Sequence, residues 1–288
     1  MALTFRTTLG CAGVVAALLL TAPPAGAAGT WQAAGTWQTV GSDRARPYDE
    51  GQGLATIERN GGTEIRYTGW TTIPSDVWNR GWNHVGDPDS VAGWYIEPYQ
   101  RDEATAKMFR VQAPDGSWAE YVHALPSWEA RENSFVAIAP AGGWMLSGEW
   151  GTRDRFIGYP TPGLNPGTSP GRDLPYGFTL RLDRPVRDIQ GCDFYSATVL
   201  LCSSDDPAGE LYGVTKPLLQ VVLERPLDGG DVTGHVTALR QLPLRSGCSG
   251  NFEAEGIDFH PDRTLRVIVL SPGMCLLWGS KTWRLRES

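Results

Sequence analysis

The sequence contains no apolar run of the ~20 residues that a bilayer-spanning helix needs. Its clearest apolar stretch, Val14 to Leu20, is far shorter. Positive charge is not in excess: Lys and Arg number 25 against 32 Asp and Glu, for a net charge of −7. That balance argues against a nucleic-acid partner, which would want a basic face. Amphipathic helical periodicity is scarce, and only Asp102 to Arg110 reads as a helical turn or two. No P-loop, dinucleotide fingerprint, H-E-x-x-H pair, EF-hand loop or C-x-x-C pair occurs. Gly167-Thr168-Ser169-Pro170-Gly171 matches G-x-S-x-G literally, but prolines crowd both sides. A nucleophile elbow needs a strand before it and a helix after it, so this is a loop.

Turn residues are abundant. The 288 residues include 35 Gly and 21 Pro, together about a fifth of the chain, alongside 12 Trp. Such punctuation implies many short elements joined by turns. At the N-terminus, Arg6 is the single charge before Asp43. The apolar run follows, and then Pro23-Pro24 and the small-residue sequence Ala25-Gly26-Ala27. This order predicts a secretory signal over residues 1–27, cleaved after about Ala27 and leaving no membrane insertion. Cys11 precedes the apolar run, so it is not placed as a lipid-modified cysteine. The exported form has 261 residues and retains Cys192, Cys202, Cys248 and Cys275. Four cysteines in an exported protein suggest two disulfides. Cys192–Cys202 across a tight hairpin and Cys248–Cys275 around a longer one are favoured over the other pairings.

Short β-branched or alternating runs recur throughout, at 54–57, 64–67, 93–96, 108–112, 119–122, 135–139, 144–147, 156–159, 178–182, 199–203, 218–223, 236–242, 265–270 and 282–285. The chain therefore reads as all-β. Residues 28–50, with the duplicated Gly-Thr-Trp-Gln at 29–32 and 35–38, read as an N-terminal arm or edge strand, and 51–288 as one domain. Several runs share a layout, with a polar residue and a small residue opening a strand–turn–strand. The openings are Gln52, His84, Asn133, Gln190 and Glu255. About 52 residues per unit suits a five-bladed β-propeller. A β-sandwich is the alternative. The interval from Gln52 to His84 is short for a whole blade, which a strand from a chain terminus would complete.

Gln190-Gly191-Cys192-Asp193 and Glu255-Gly256-Ile257-Asp258 resemble the innermost-strand motif of small secreted propellers. The chain as a whole resembles a group of actinobacterial secreted β-propeller-like proteins. That resemblance implies a central channel lined by the strand openings. Gln52, His84, Asn133, Gln190 and Glu255 would then form a polar ring, with Asp87 and Asp89 close by. Some propeller hydrolases hold calcium in such a ring, so His84, Asp87, Asn133, Gln190 and Glu255 are candidate ligands for Ca2+ or another divalent metal. A structural plug of hydrogen-bonded side chains is the competing reading. Asp193 and Asp258 are read as caps on backbone N–H groups.

Two functions follow as expectations. One is binding of an extracellular small molecule or polysaccharide, such as cell-wall carbohydrate, on aromatic platforms, with Trp70, Trp78, Trp82 and Trp94 as the candidate cluster. The other is a metal-centred lactonase, esterase or glycosidase, with Glu255, Asp87 and Glu149 as candidate catalytic groups. Glu149 lies beside Trp150, and burial there would raise its pKa into a range useful for a general acid.

Overall fold

The computed structural model describes residues 35–101, 105–131 and 134–288. The predicted signal segment, Cys11, the first Gly-Thr-Trp-Gln copy and Asn133 lie outside the described residues.

The chain enters through β1 (Trp37–Arg44) and the short helix α1 (Pro47–Glu50), and then forms five successive groups of strands. Unit 1 is the hairpin β2 (Gly53–Arg59) and β3 (Gly62–Thr68). Asn60-Gly61 supplies its two-residue turn with φ of 54° and 75°, the left-handed pair that matches strand twist. A helical turn at Trp70–Thr72 and helix α2 (Ser75–Asn79) lead to unit 2. That unit holds β4 (His84–Val85) and β5 (Asp89–Val91), which both pair with β6 (Trp94–Gln100), followed by β7 (Ala106–Gln112) and β8 (Trp118–Ala124). Unit 3 comprises β9 (Val136–Ile138), β10 (Trp144–Ser147), β11 (Thr152–Pro160) and β12 (Phe178–Arg187). Unit 4 comprises β13 (Ile189–Ser196), β14 (Val199–Ser204), β15 (Pro217–Leu223) and β16 (Val232–Gln241). Unit 5 contains β17 (Glu253–Phe259), β18 (Thr264–Leu270), helix α3 (Leu276–Gly279) and β19 (Lys281–Glu287). β1 pairs antiparallel with β19 as the outermost strand of unit 5.

One strand from each unit packs in a cycle: β2 on β5, β5 on β9, β9 on β13, β13 on β17, and β17 back on β2. Apolar clusters fill the spaces between successive units. Ala55 and Ile57 meet Tyr95 between units 1 and 2. Ile96 and Phe109 meet Val136 and Ile157 between units 2 and 3. Phe156 and Leu180 meet Leu200 and Val221 between units 3 and 4. Leu201 and Leu218 meet Val267 and Leu285 between units 4 and 5, and Leu54 meets Ile268 and Leu270 between units 5 and 1. This all-β arrangement, with one eight-stranded sheet and several smaller ones, fits a propeller or a β-sandwich.

Three features depart from the reading of the sequence. The terminal strand β1 completes unit 5, not the short unit 1, which keeps two strands. β12 and β16, the outer strands of units 3 and 4, pair in parallel through Leu180–Leu182 and Val232–Gly234, merging those units into one eight-stranded sheet. Residues 106–110, expected to be helical, lie in β7, where Met108 and Phe109 are buried against neighbouring strands.

Both disulfides join the favoured pairs. Cys192 and Cys202 face each other across β13 and β14, with Cα atoms 4.1 Å apart. Cys248–Cys275 spans 27 positions and ties the loop after β16 to the turn before α3. No helix among the described residues is long and apolar enough to cross a membrane.

Candidate functional site

The repeated opening motif runs between two cavities, here called the two mouths. In Gln190-Gly191-Cys192-Asp193 and Glu255-Gly256-Ile257-Asp258, the first residue lines a cavity at one mouth and the fourth lines a cavity at the other. The glycine lies at the waist between them. A strand advances about 3.3 Å per residue, so four residues traverse the narrow centre.

Asp87 fills that waist and is fully buried. The Leu54 N–H donates to its Oδ1 at 3.0 Å and the Ile257 N–H to its Oδ2 at 3.1 Å. Its own backbone pairs with the start of unit 3 through Asp87 N to Ser134 O at 2.6 Å and Val136 N to Asp87 O at 3.0 Å. A Cβ on Gly191 would lie 2.3 Å from Asp87 Oδ2. All five units therefore meet at this one residue. Burial pushes the Asp87 carboxyl well above its usual range, and the charges of Asp193 and Asp89 push the same way, against the two amide donors. Sequence reasoning offered Asp87 as a metal ligand and acid–base group. Its place is the keystone, with both oxygens taken by backbone amides.

The first mouth contains three more acids, one each from β5, β13 and β17, with Asp89 and Asp258 buried and Asp193 half-buried. They share a cavity of about 240 Å³ with Thr56, Glu58, Ser90, Phe194 and Phe259. Each carboxylate staples a neighbouring unit. Asp89 accepts from Ile138 N at 2.5 Å, Asp193 from Phe259 N at 2.6 Å, and Asp258 from Thr56 N and Oγ1, both at 2.8 Å. Capping is thus their role, and it reaches across units, while Asp193 also accepts locally from Phe194 N at 2.6 Å and Asp89 from Ser90 N at 2.5 Å. Burial raises all three pKa values. Asp89 reaches about 8, with Asp258 adding repulsion. Asp193 is raised further by Asp89 and Asp258, and Asp258 is raised despite Thr56 and Arg266.

These shifts set a pH dependence. A folded-state pKa above the unfolded 3.8 favours the fold when the group is protonated. The contribution is complete below 3.8 and is lost as pH rises through about 8 for Asp89. The melting temperature is therefore expected to fall steadily from about pH 5 to pH 8, and Asp89→Asn to flatten the slope. Thermal unfolding across that range tests it, and a flat or rising curve refutes the assignment.

The second mouth gathers Gln52, His84, Gln190 and Glu255, four of the five ring residues read from the repeat. Gln100, Arg131, Trp150 and Glu253 complete its lining around a cavity of about 250 Å³. An adjoining hollow of about 310 Å³ shares Trp150, Gln190, Glu253 and Glu255 and adds Asp188, Asp205, Pro207 and Asn251. Burial raises Asp205 to about 6 against the pull of Lys216. Trp150 is 58% exposed. Gln100 could not be read from the sequence because it reaches the mouth only through its register opposite His84. In the sequence Trp150 stands out only as a neighbour of Glu149.

The predicted tryptophan cluster disperses. Trp82 is 5% exposed, packed beside Val85 and Tyr99 with the Arg101 guanidinium 4.8 Å from its ring centre. Trp94 packs half-buried against the cluster between units 2 and 3. Trp70 and Trp78 are exposed in the helical turns after β3, and none of the four lines a channel mouth.

Glu149 also departs from expectation. Its buried carboxylate accepts from Arg155 Nε at 2.6 Å and Nη2 at 2.8 Å, and from Ala130 N at 2.9 Å. Burial works to raise its pKa, but these donors and the charges of Arg155 and Arg153 outweigh it, and the value is lowered. A carboxylate so held is a poor general acid.

Beside the loops that bear Trp128 and Trp150 lies a polar cluster absent from the sequence reading. Lys107, 1% exposed, places Nζ 2.8 Å from Glu129 Oε1 and donates to Gly148 O at 2.7 Å. Tyr159 Oη donates to Glu129 Oε1 at 2.6 Å, and His123 Nε2 lies 3.0 Å from Glu129 Oε2. Glu129 and Gly148 adjoin Trp128 and Glu149-Trp150, so one lysine ties down both loops.

Among the described residues no group of three or more His, Cys, Asp or Glu is set to hold a metal ion. Calcium takes six to eight oxygen ligands. Asp87, Asp89, Asp193 and Asp258 turn oxygens to backbone amides. No protein-family model and no curated protein matches the chain.

Proposed function

We propose that the protein is a secreted, five-bladed β-propeller that binds carbohydrate at the mouth around Trp150. The observation that carries this reading is the make-up of that mouth. An exposed indole stands beside a concave ring of three glutamines, two glutamates, one histidine and one arginine. Side-chain amides, carboxylates and guanidinium groups can exchange paired hydrogen bonds with vicinal hydroxyls, and an indole face covers the apolar side of a sugar ring. Small-molecule sites commonly have this form, a concavity with a few placed polar groups. Secretion is supported by the N-terminal signal pattern and by two disulfides, which persist in oxidising compartments.

Soluble oligosaccharides of β-1,4-linked glucose and of N-acetylglucosamine are expected to bind, as measured by calorimetry. Trp150→Ala should weaken binding about tenfold or more without changing the melting temperature, the usual scale for losing an aromatic anchor. No binding at millimolar sugar, or full affinity in Trp150→Ala, would rule the reading out.

A further inference from the structure

We propose that the bound ligand is a glycan chain, and that Trp128 and Tyr176 form a second platform carrying it beyond Trp150. This rests on the mouth reading above. Trp128 is 46% exposed and Tyr176 39%, and their rings meet edge-on at 5.2 Å. The Arg155 guanidinium stands 5.3 Å from the Trp128 ring centre, and its Nη2 donates to the Trp128 carbonyl at 2.9 Å.

The Trp128 loop is laced to the loop that bears Trp150. Trp150 N donates to Arg131 O at 3.1 Å, and Ala130 N donates to Glu149 Oε1 at 2.9 Å. Arg131 itself lines the mouth. The two exposed indoles therefore rise from adjoining, mutually bonded loops, one at the cavity and one beyond it. Contiguous exposed apolar groups mark an interaction surface, and Trp128 and Tyr176 are in ring contact.

Rigidity separates this surface from a chance patch. Glu149 clamps Arg155 through two hydrogen bonds, and Arg155 in turn supports Trp128. Lys107 joins Glu129 to the Gly148 carbonyl. A preordered aromatic face binds with little loss of side-chain freedom. Glu149, which sequence reasoning offered as an acid catalyst, is a positioning residue for this platform. A chain of linked sugars is the occupant that uses both indoles, because a single ring seated on Trp150 leaves Trp128 bare.

The test is a length series of β-1,4-linked glucose and N-acetylglucosamine oligomers, from one to six units, titrated into the full chain. In the wild type, affinity for at least one series should rise about tenfold between the shortest and longest members. Trp128→Ala should abolish that rise while leaving affinity for the shortest ligand and the melting temperature unchanged. Trp128→Phe should restore part of it, whereas Trp150→Ala weakens every length. Binding with no length dependence, or a Trp128→Ala series parallel to wild type, overturns the second platform and leaves the mouth reading standing. No binding by any member overturns both.

Discussion

Replacing Gly256 by alanine is expected to lower the melting temperature by on the order of 10 °C or to prevent folding. A Cβ at this position would lie 2.1 Å from Asp87 Oδ1 and 2.5 Å from the Gly53 Cα. Neither neighbour can retreat. Asp87 is held by amides of units 1 and 5, and Gly53 is main chain of the facing strand. Overpacking a rigid interior typically costs 1–3 kcal/mol and sometimes more. At roughly 2–4 °C per kcal/mol for a domain of this size, the upper part of that range gives the stated shift. Gly143→Ala is the control, since a Cβ there meets nothing within 4 Å. A Gly256→Ala protein melting within a degree of wild type would show that the waist is not closed around Asp87.

Lys107→Met is expected to cost about 3–5 kcal/mol, the scale for removing one partner of a buried ion pair and stranding the other. Burial alone would raise the pKa of Glu129. The hydrogen bonds from His123, Lys107 and Tyr159 and the charge of Lys107 instead hold it near 2. With an unfolded value of 4.5, its stabilisation is complete above that pH and is lost only as pH falls towards 2. Without Lys107 the carboxylate loses its cation, and a rise in its folded-state value lets protonation relieve the strain. The deficit in the variant should therefore narrow as pH falls from 7 to 4. Melting curves at pH 7 and pH 4 check both the size and the sign. A loss under about 2 °C at pH 7 would mean the pair is not held dry.

Much of the architecture was legible because middle strands such as β14, β15 and β18 bury both faces and so appear as apolar, often β-branched runs. All fourteen runs read from the sequence overlap strands. The strands missing from those runs include β5, and β13 and β17 stand in the sequence only as the repeated motif. These line the channel, and their inward positions hold Asp89, Gln190, Asp193, Glu255 and Asp258 in place of an apolar alternation. The repeated polar–Gly opening exposed them by another route, which is why four ring residues could be named. Pairing across distant sequence could not be read. Gln100 and Arg131 reach the mouth through register and loop packing, and the Lys107–Glu129 pair joins residues 22 positions apart through the fold. The expected role of Glu149 failed for a related reason. Its environment was inferred from the adjacent Trp150, whereas its pKa is governed by Arg155, whose approach depends on the turn between β10 and β11.

The parallel bond between β12 and β16 gives the ring a grain. Units 3 and 4 share one continuous hydrogen-bonded sheet and one apolar cluster, whereas unit 1 contributes a bare hairpin. Local opening follows the weakest contacts, so the molecule has a seam at unit 1 and a spine opposite it. Amide protons of β2 and β3 would exchange through small excursions, while those of β9 to β16 would wait for the whole body to come apart. The hairpin that opens first also carries Gln52 at the mouth. Whatever binds there would clasp the seam shut, and occupancy of the mouth would register as slower exchange in the least protected part of the chain.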